Sequence, residues 1–101
     1  MRITYPTAIV MLAVSRNVCY GFDIMDATGL QSGTVYPILR RLEAAGLVRS
    51  RWEAVTNARD EQRPPRRYYQ VTGAGSRELR TALDRFPGLS ATVGAGSPAR
   101  A

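Results

Sequence analysis

The chain of 101 residues contains no histidine, no lysine and a single cysteine, Cys19. Without histidine it lacks the commonest metal ligand and the general base best matched to neutral pH. One cysteine excludes an internal disulfide framework. Trp52 is the only tryptophan, and the longest apolar run, Ala8 to Val14, holds seven residues, far short of the roughly 20 that span a bilayer. Arg2 ahead of that run imitates a secretion signal. Pro6 before it, Arg16 at its end and the lack of a small-residue cleavage site argue instead for a cytoplasmic protein without a membrane segment. Catalysis is poorly supplied: Asp23 and Asp26 lie three apart with neither a histidine nor a glycine-rich loop, and read as surface acids. No enzyme activity, metal or cofactor is expected.

What the chain does have is arginine. All fourteen basic residues are Arg against eight acids, a net charge of +6, and this balance points to a polyanion or an acidic surface. A chain of this length makes one small domain with a modest core.

Thr4 is placed to cap a first helix with Pro6 in its opening turn, and the apolar residues from Ala8 to Val14 surround its axis. Such a helix needs neighbours on more than one side. A second subunit meeting Ile9 and Leu12 would supply one, and so would a tightly wrapped core of a single chain. After a polar connection, Gly21 to Ala27 reads as a short helix with Phe22 and either Met25 or Ile24 turned inward, ended by the turn at Thr28-Gly29.

The next segment, Ser32 to Val48, is the most informative. Val35, Ile38, Leu39 and Leu42 recur at helical spacing, and Gly33, Pro37, Arg40 and Ala44 take the opposite side. Small residues around Arg40, flanked by Thr34, Tyr36 and Arg41, suit close approach to base edges and phosphates, whereas the plainer reading is a solvated face. Ser32 or Thr34 caps the start, Gly46 ends the helix in a left-handed conformation, and Pro37 implies a distorted first turn. A short helix, a glycine-bearing turn and a second helix with a basic outer face make a helix-turn-helix.

Beyond Gly46, Val48, Ser50 and Trp52 alternate with Arg49, Arg51 and Glu53 as a half-buried strand with Trp52 as its inward anchor. Arg67 to Val71 pairs with it. The polar, Pro64-Pro65-stiffened stretch Ala54 to Arg66 between them is a wing, whose Arg63, Arg66 and Arg67 are placed to reach phosphates or the minor groove; Asp60 and Glu61 favour the alternative of a solvated hairpin. Thr72 caps a last helix with an apolar stripe of Leu79, Ala82, Leu83 and Phe86, stopped by Pro87-Gly88. The Gly, Ala and Ser-rich stretch from Gly88 to Ala101 reads as a disordered tail. The expected fold is mainly α with a small β-hairpin wing. Residues 1–72 form a winged helix-turn-helix, 73–87 a C-terminal helix suited to dimerisation, and 88–101 the tail.

Several stretches resemble the PadR family of bacterial winged-helix transcriptional regulators. Tyr20-Gly21-Phe22 is similar to that family's His-Gly-Tyr, with tyrosine where histidine is usual. The run Ser32-Gly33-Thr34-Val35-Tyr36-Pro37, with Leu39, Arg41-Leu42-Glu43 and Gly46-Leu47-Val48, resembles its most recognisable segment. Trp52-Glu53 resembles the strand entering its wing, and Arg66 to Thr72 with Gly75 its wing exit and last capped helix. The resemblance implies a homodimer on an inverted-repeat operator, usually as a repressor, with Tyr36 and its surroundings near double-stranded DNA. Together with the residue reading it gives Gln31, Ser32, Thr34, Tyr36, Pro37, Arg40, Arg41, Arg63, Arg66 and Arg67 as candidate DNA contacts, and Ile9, Leu12, Leu79, Leu83 and Phe86 as candidate dimer contacts. The last helix ends at Phe86 where the family extends it, and it carries no tryptophan, so no small-molecule effector is assigned. Two other readings compete: a protein-interaction module on a winged-helix scaffold, and a thiol switch at Cys19, against which stands a buried, inert cysteine.

Overall fold

A helix that is apolar on every side must be wrapped, and the structure wraps the first one within a single chain. The computed structural model describes residues 2–91. Helix α1 (Tyr5–Ser15) buries every residue from Thr7 to Val14. It packs against α2 (Gly21–Thr28), α3 (Ser32–Ala44), strand β2 (Arg67–Val71) and α5 (Gly73–Arg85). Thr4 occupies its N-cap without a capping bond from the side chain, whose hydroxyl instead meets that of Thr7 at 2.9 Å. Ile9 and Leu12 lie in this core together with Leu79, so the wrapped single chain is the arrangement the structure adopts for them.

Helices α2 and α3 form the helix-turn-helix, with Gly29 at φ 76° ending the first. In α3 the buried residues are Val35, Ile38, Leu39 and Leu42, the stripe that the spacing picks out. Its start differs from expectation. Gln31 is the N-cap and makes no side-chain bond, so neither Ser32 nor Thr34 caps the helix; the amides of Thr34 and Val35 both donate to the Gln31 carbonyl at 2.9 Å. The helix does not wait until Thr34 to begin, and Pro37 lies inside it. There it leaves the Gly33 carbonyl without the amide that an α-helix aims at it. The end follows the sequence: Gly46 has φ 76°, its amide donates to Glu43 and that of Leu47 to Leu42. These two bonds satisfy carbonyls that a helix terminus otherwise orphans, in a conformation that glycine enters without a Cβ penalty.

Strand β1 (Val48–Trp52) pairs antiparallel with β2, with Val48 opposite Val71 and Trp52 opposite Arg67. Two features were not foreseen. The wing contains a short helix, α4 (Val55–Asp60), with Ala58 buried. The segment before α2 joins the sheet from the other side, where Tyr20 bridges Tyr68 and the Tyr69 amide donates to the Cys19 carbonyl at 2.9 Å.

Thr72 caps α5 as expected, its hydroxyl accepting from the Gly75 amide at 3.0 Å. Past it the chain does more than trail away. Leu89–Ala91 form a 3-10 turn, Leu89 is fully buried, and Arg16 donates to the Ser90 carbonyl at 3.1 Å. The remainder of the tail, 92–101, lies outside the described residues.

Candidate nucleic-acid interface

The exposed side of α3 carries Ser32, Thr34, Tyr36, Arg40 and Arg41, with Gln31 exposed at the cap and Pro37 half-buried between them. These side chains form one surface because the opposite stripe is fixed in the core. Tyr36 is seated against α2, where its ring fills the space left by the missing side chain of Gly21. The two helices of the motif therefore meet next to the candidate contacts.

Two anchors expected inside are outside. Phe22 is 77% exposed, and Ile24 takes the buried place on α2 with Met25 partly buried beside it. Phe22 comes one residue into a short helix, where the core-facing side is already filled by Gly21 and Ile24. Trp52 is 64% exposed. By alternation it shares a sheet face with Val48 and Ser50, yet burial along that face fades from Val48 through half-buried Ser50 to exposed Trp52. The ring instead faces the cross-strand Arg67 guanidinium at 5.5 Å.

The root of the wing is tied to the recognition helix. Ser50 donates to the Glu43 carboxylate at 2.6 Å, and Arg67 reaches Ser50 Oγ at 2.8 Å and Glu43 at 3.5 Å. Arg67 is therefore half-exposed and oriented rather than free.

Farther out, Glu53 gathers the other two candidate arginines. Arg63 chelates its carboxylate, with Nη2 to Oε2 at 2.7 Å, and Arg66 approaches with its side chain at 3.7 Å and its backbone amide at 3.3 Å. The hydrogen bond from Arg63 is the chief cause that holds the Glu53 carboxyl at about pKa 2, helped by the Arg66 amide and by both positive charges and opposed by partial desolvation. The same bond raises the Arg63 pKa. Arg63 thus has an internal partner, whereas the Arg66 side chain keeps 45% of its surface in solvent. Glu43, Ser50, Glu53 and Tyr20 were absent from the sequence-based candidates. Glu53's position directly after Trp52, amid arginines, was the one available signal.

Cys19 is half-buried beside α2, and its thiol pKa is raised by burial and then by Asp23. That favours the inert cysteine over the thiol switch. Among the described residues no cluster of acids and cysteine is arranged to hold a metal, and no helix is long and apolar enough to cross a membrane. Leu83 on α5 and Phe86 at its C-cap are partly buried, with the Phe86 ring edge-on to Tyr5 at 5.4 Å.

The model of the transcriptional regulator PadR-like family matches residues 10–81. The chain is similar in structure to a PadR-like transcription factor from Bacteroides fragilis, with 30% identity, a TM-score of 0.67, and 85% of this chain and 84% of that one covered. It is also similar to smu.1704 from Streptococcus mutans UA159, with 26% identity, a TM-score of 0.65 and coverage of 84% and 80%. A PadR family transcriptional regulator from Eggerthella lenta DSM 2243 shares 31% identity, with a TM-score of 0.59 and coverage of 75% and 69%. No curated protein matches the chain.

Proposed function

Because the chain belongs to the PadR-like family and is thereby a DNA-binding transcription regulator, we propose that it acts as a repressor, gripping an inverted-repeat operator as a homodimer. The observation that carries this reading is the joined surface of α3 and wing. Thr34, Tyr36, Arg40 and Arg41 face outward from a helix whose last turn, through Glu43, holds the strand carrying Arg67. In this reading α3 enters the major groove with Gln31, Ser32 and Pro37 along its edge, and the wing arginines meet phosphates, which set register rather than sequence. Residues 1–72 bind DNA and 73–87 associate with a second copy. Since Ile9, Leu12 and Leu79 are used inside the chain, Leu83 and Phe86 with Tyr5 remain for that contact.

Fluorescence anisotropy on the gene's own upstream DNA and on a scrambled duplex, over a range of salt, tests the proposal. Tight binding to the upstream DNA alone, with a slope implying about six to eight neutralised phosphates, supports a dimeric repressor. A single half-site that binds as well as a palindrome with centres about 34 Å apart removes the dimer. Equal, weak binding to both duplexes removes sequence readout. No binding at low salt shifts the role to a protein-interaction module.

A further inference from the structure

We infer that Tyr20 is a positioning residue for DNA binding: its ring is the platform on which the Arg66 guanidinium is held ready for a backbone phosphate. The inference rests on the DNA-binding reading of the wing and adds to it a residue outside both α3 and the wing.

The placement begins with the backbone. Because Tyr20 bridges Tyr68 in antiparallel register, the two side chains share a sheet face, and Arg66, two residues before Tyr68, falls on that face as well. The two tyrosine rings meet edge to face at 6.2 Å. The Arg66 guanidinium then lies 3.8 Å from the centre of the Tyr20 ring, closer than Arg85 to Phe86 at 4.9 Å or Arg67 to Trp52 at 5.5 Å.

Glu53 is the second restraint on Arg66, and a loose one. At 3.7 Å the side-chain contact is longer than a hydrogen bond, and the carboxylate is already chelated by Arg63. A guanidinium carries its donors in its plane, so stacking one face on a ring leaves the N–H edge available to an anion. It also removes rotamer freedom before the anion arrives. Tyr20 is the N-cap of α2, so the platform moves with the helix-turn-helix. Arg66 is thereby registered against α3 and not only against its own loop.

The full chain is titrated with an upstream and a scrambled duplex at several salt concentrations, as wild type, Tyr20→Phe, Tyr20→Leu, Arg66→Ala and Tyr20→Leu/Arg66→Ala. Tyr20→Phe keeps the ring and stays within about twofold of wild type, while Tyr20→Leu weakens binding to both duplexes about two- to fivefold. Arg66→Ala lowers the salt slope by about 1 per protomer. The double variant binds no more weakly than Arg66→Ala alone. Losses that multiply in the double variant, wild-type affinity in Tyr20→Leu, or equal loss in Tyr20→Phe overturn the inference. Should Tyr20→Leu fail to fold, NMR of the wild type decides: ring-current upfield shifts of the Arg66 side-chain protons are expected, and random-coil shifts overturn the platform. A wild type that binds neither duplex but shows those shifts defeats the DNA reading and the functional role, and leaves only a structural stack.

Discussion

Gly21 on α2 and Tyr36 on α3 are matched in volume: a Cβ added to Gly21 would stand 2.6 Å from Tyr36 Cε1 and Cζ, and closer still to the hydroxyl. Gly21→Ala must displace a ring that belongs to the candidate DNA surface. It is expected to cost about 1–3 kcal/mol, the usual range for overpacking, read from the denaturation midpoint. In a Tyr36→Ala background the clash is absent and alanine's helix propensity remains, so the same substitution should be neutral or stabilising by up to about 1 kcal/mol. An unchanged penalty in that background would show that the seat is not what Gly21 provides.

The carboxylate of Glu53 gives the wing a pH limit. Its pKa is about 2 in the folded protein against an ordinary value of 4.5, so its contribution is complete above pH 4.5 and lost as pH falls through that value towards 2. Trp52 adjoins Glu53 and is the only tryptophan, so its emission reports the wing. A change in emission centred well below pH 4 is expected in wild type, with none from this ion pair in Glu53→Gln. A midpoint at 4 to 4.5 would mean that Arg63 does not hold the carboxylate.

Ser50 stands between Glu43 and Arg67, donating to one and accepting from the other. Ion pairs this exposed contribute little to stability, so Glu43→Ala and Ser50→Ala should each shift it by less than about 1 kcal/mol. Both should nevertheless weaken DNA binding, since each frees the wing root from α3, and the double variant should show coupled rather than summed losses. Thermal denaturation beside anisotropy checks this; additive losses would mean that Glu43 and Ser50 act separately.

Leu89 fills a place in the core from beyond the last helix. Leu89→Ala should destabilise the protein by about 2–5 kcal/mol, as large-to-small changes at fully buried positions do, whereas Ser90→Ala should be nearly silent because the backbone carbonyl accepts from Arg16. Urea denaturation distinguishes this from a tail without structure, for which both substitutions would be silent.

Local patterns recovered the buried stripe of α3 from its periodicity, the bounds of β2 from its residue types and the Thr72 cap from its side-chain chemistry, because each is written within a few neighbouring residues. Phe22 and Trp52 show where they stop. Their residue types suit a core, but burial is decided by tertiary neighbours rather than by residue type, and Phe22 and Trp52 stay 77% and 64% exposed. Glu53 and Arg63 are ten residues apart across a loop whose helix has no long periodic pattern, so an acid amid arginines was legible but its choice of Arg63 was not. Leu89 was hidden by its company: one leucine among Gly, Ala and Ser reads as unburied until α5 directs it back. The candidate contacts on α3 were legible as a face, while the acids that orient the wing arginines were not.

A two-stranded ribbon is marginal alone in water, but β2 has a neighbour on each edge, β1 on one and the Cys19-Tyr20 segment on the other. The second contact joins parts of the chain about fifty residues apart, so the ribbon and the helix-turn-helix must assemble together. The amide proton of Tyr69, bonded to Cys19 across that junction, should then exchange with solvent only through global unfolding, at a rate matching the interior of α1.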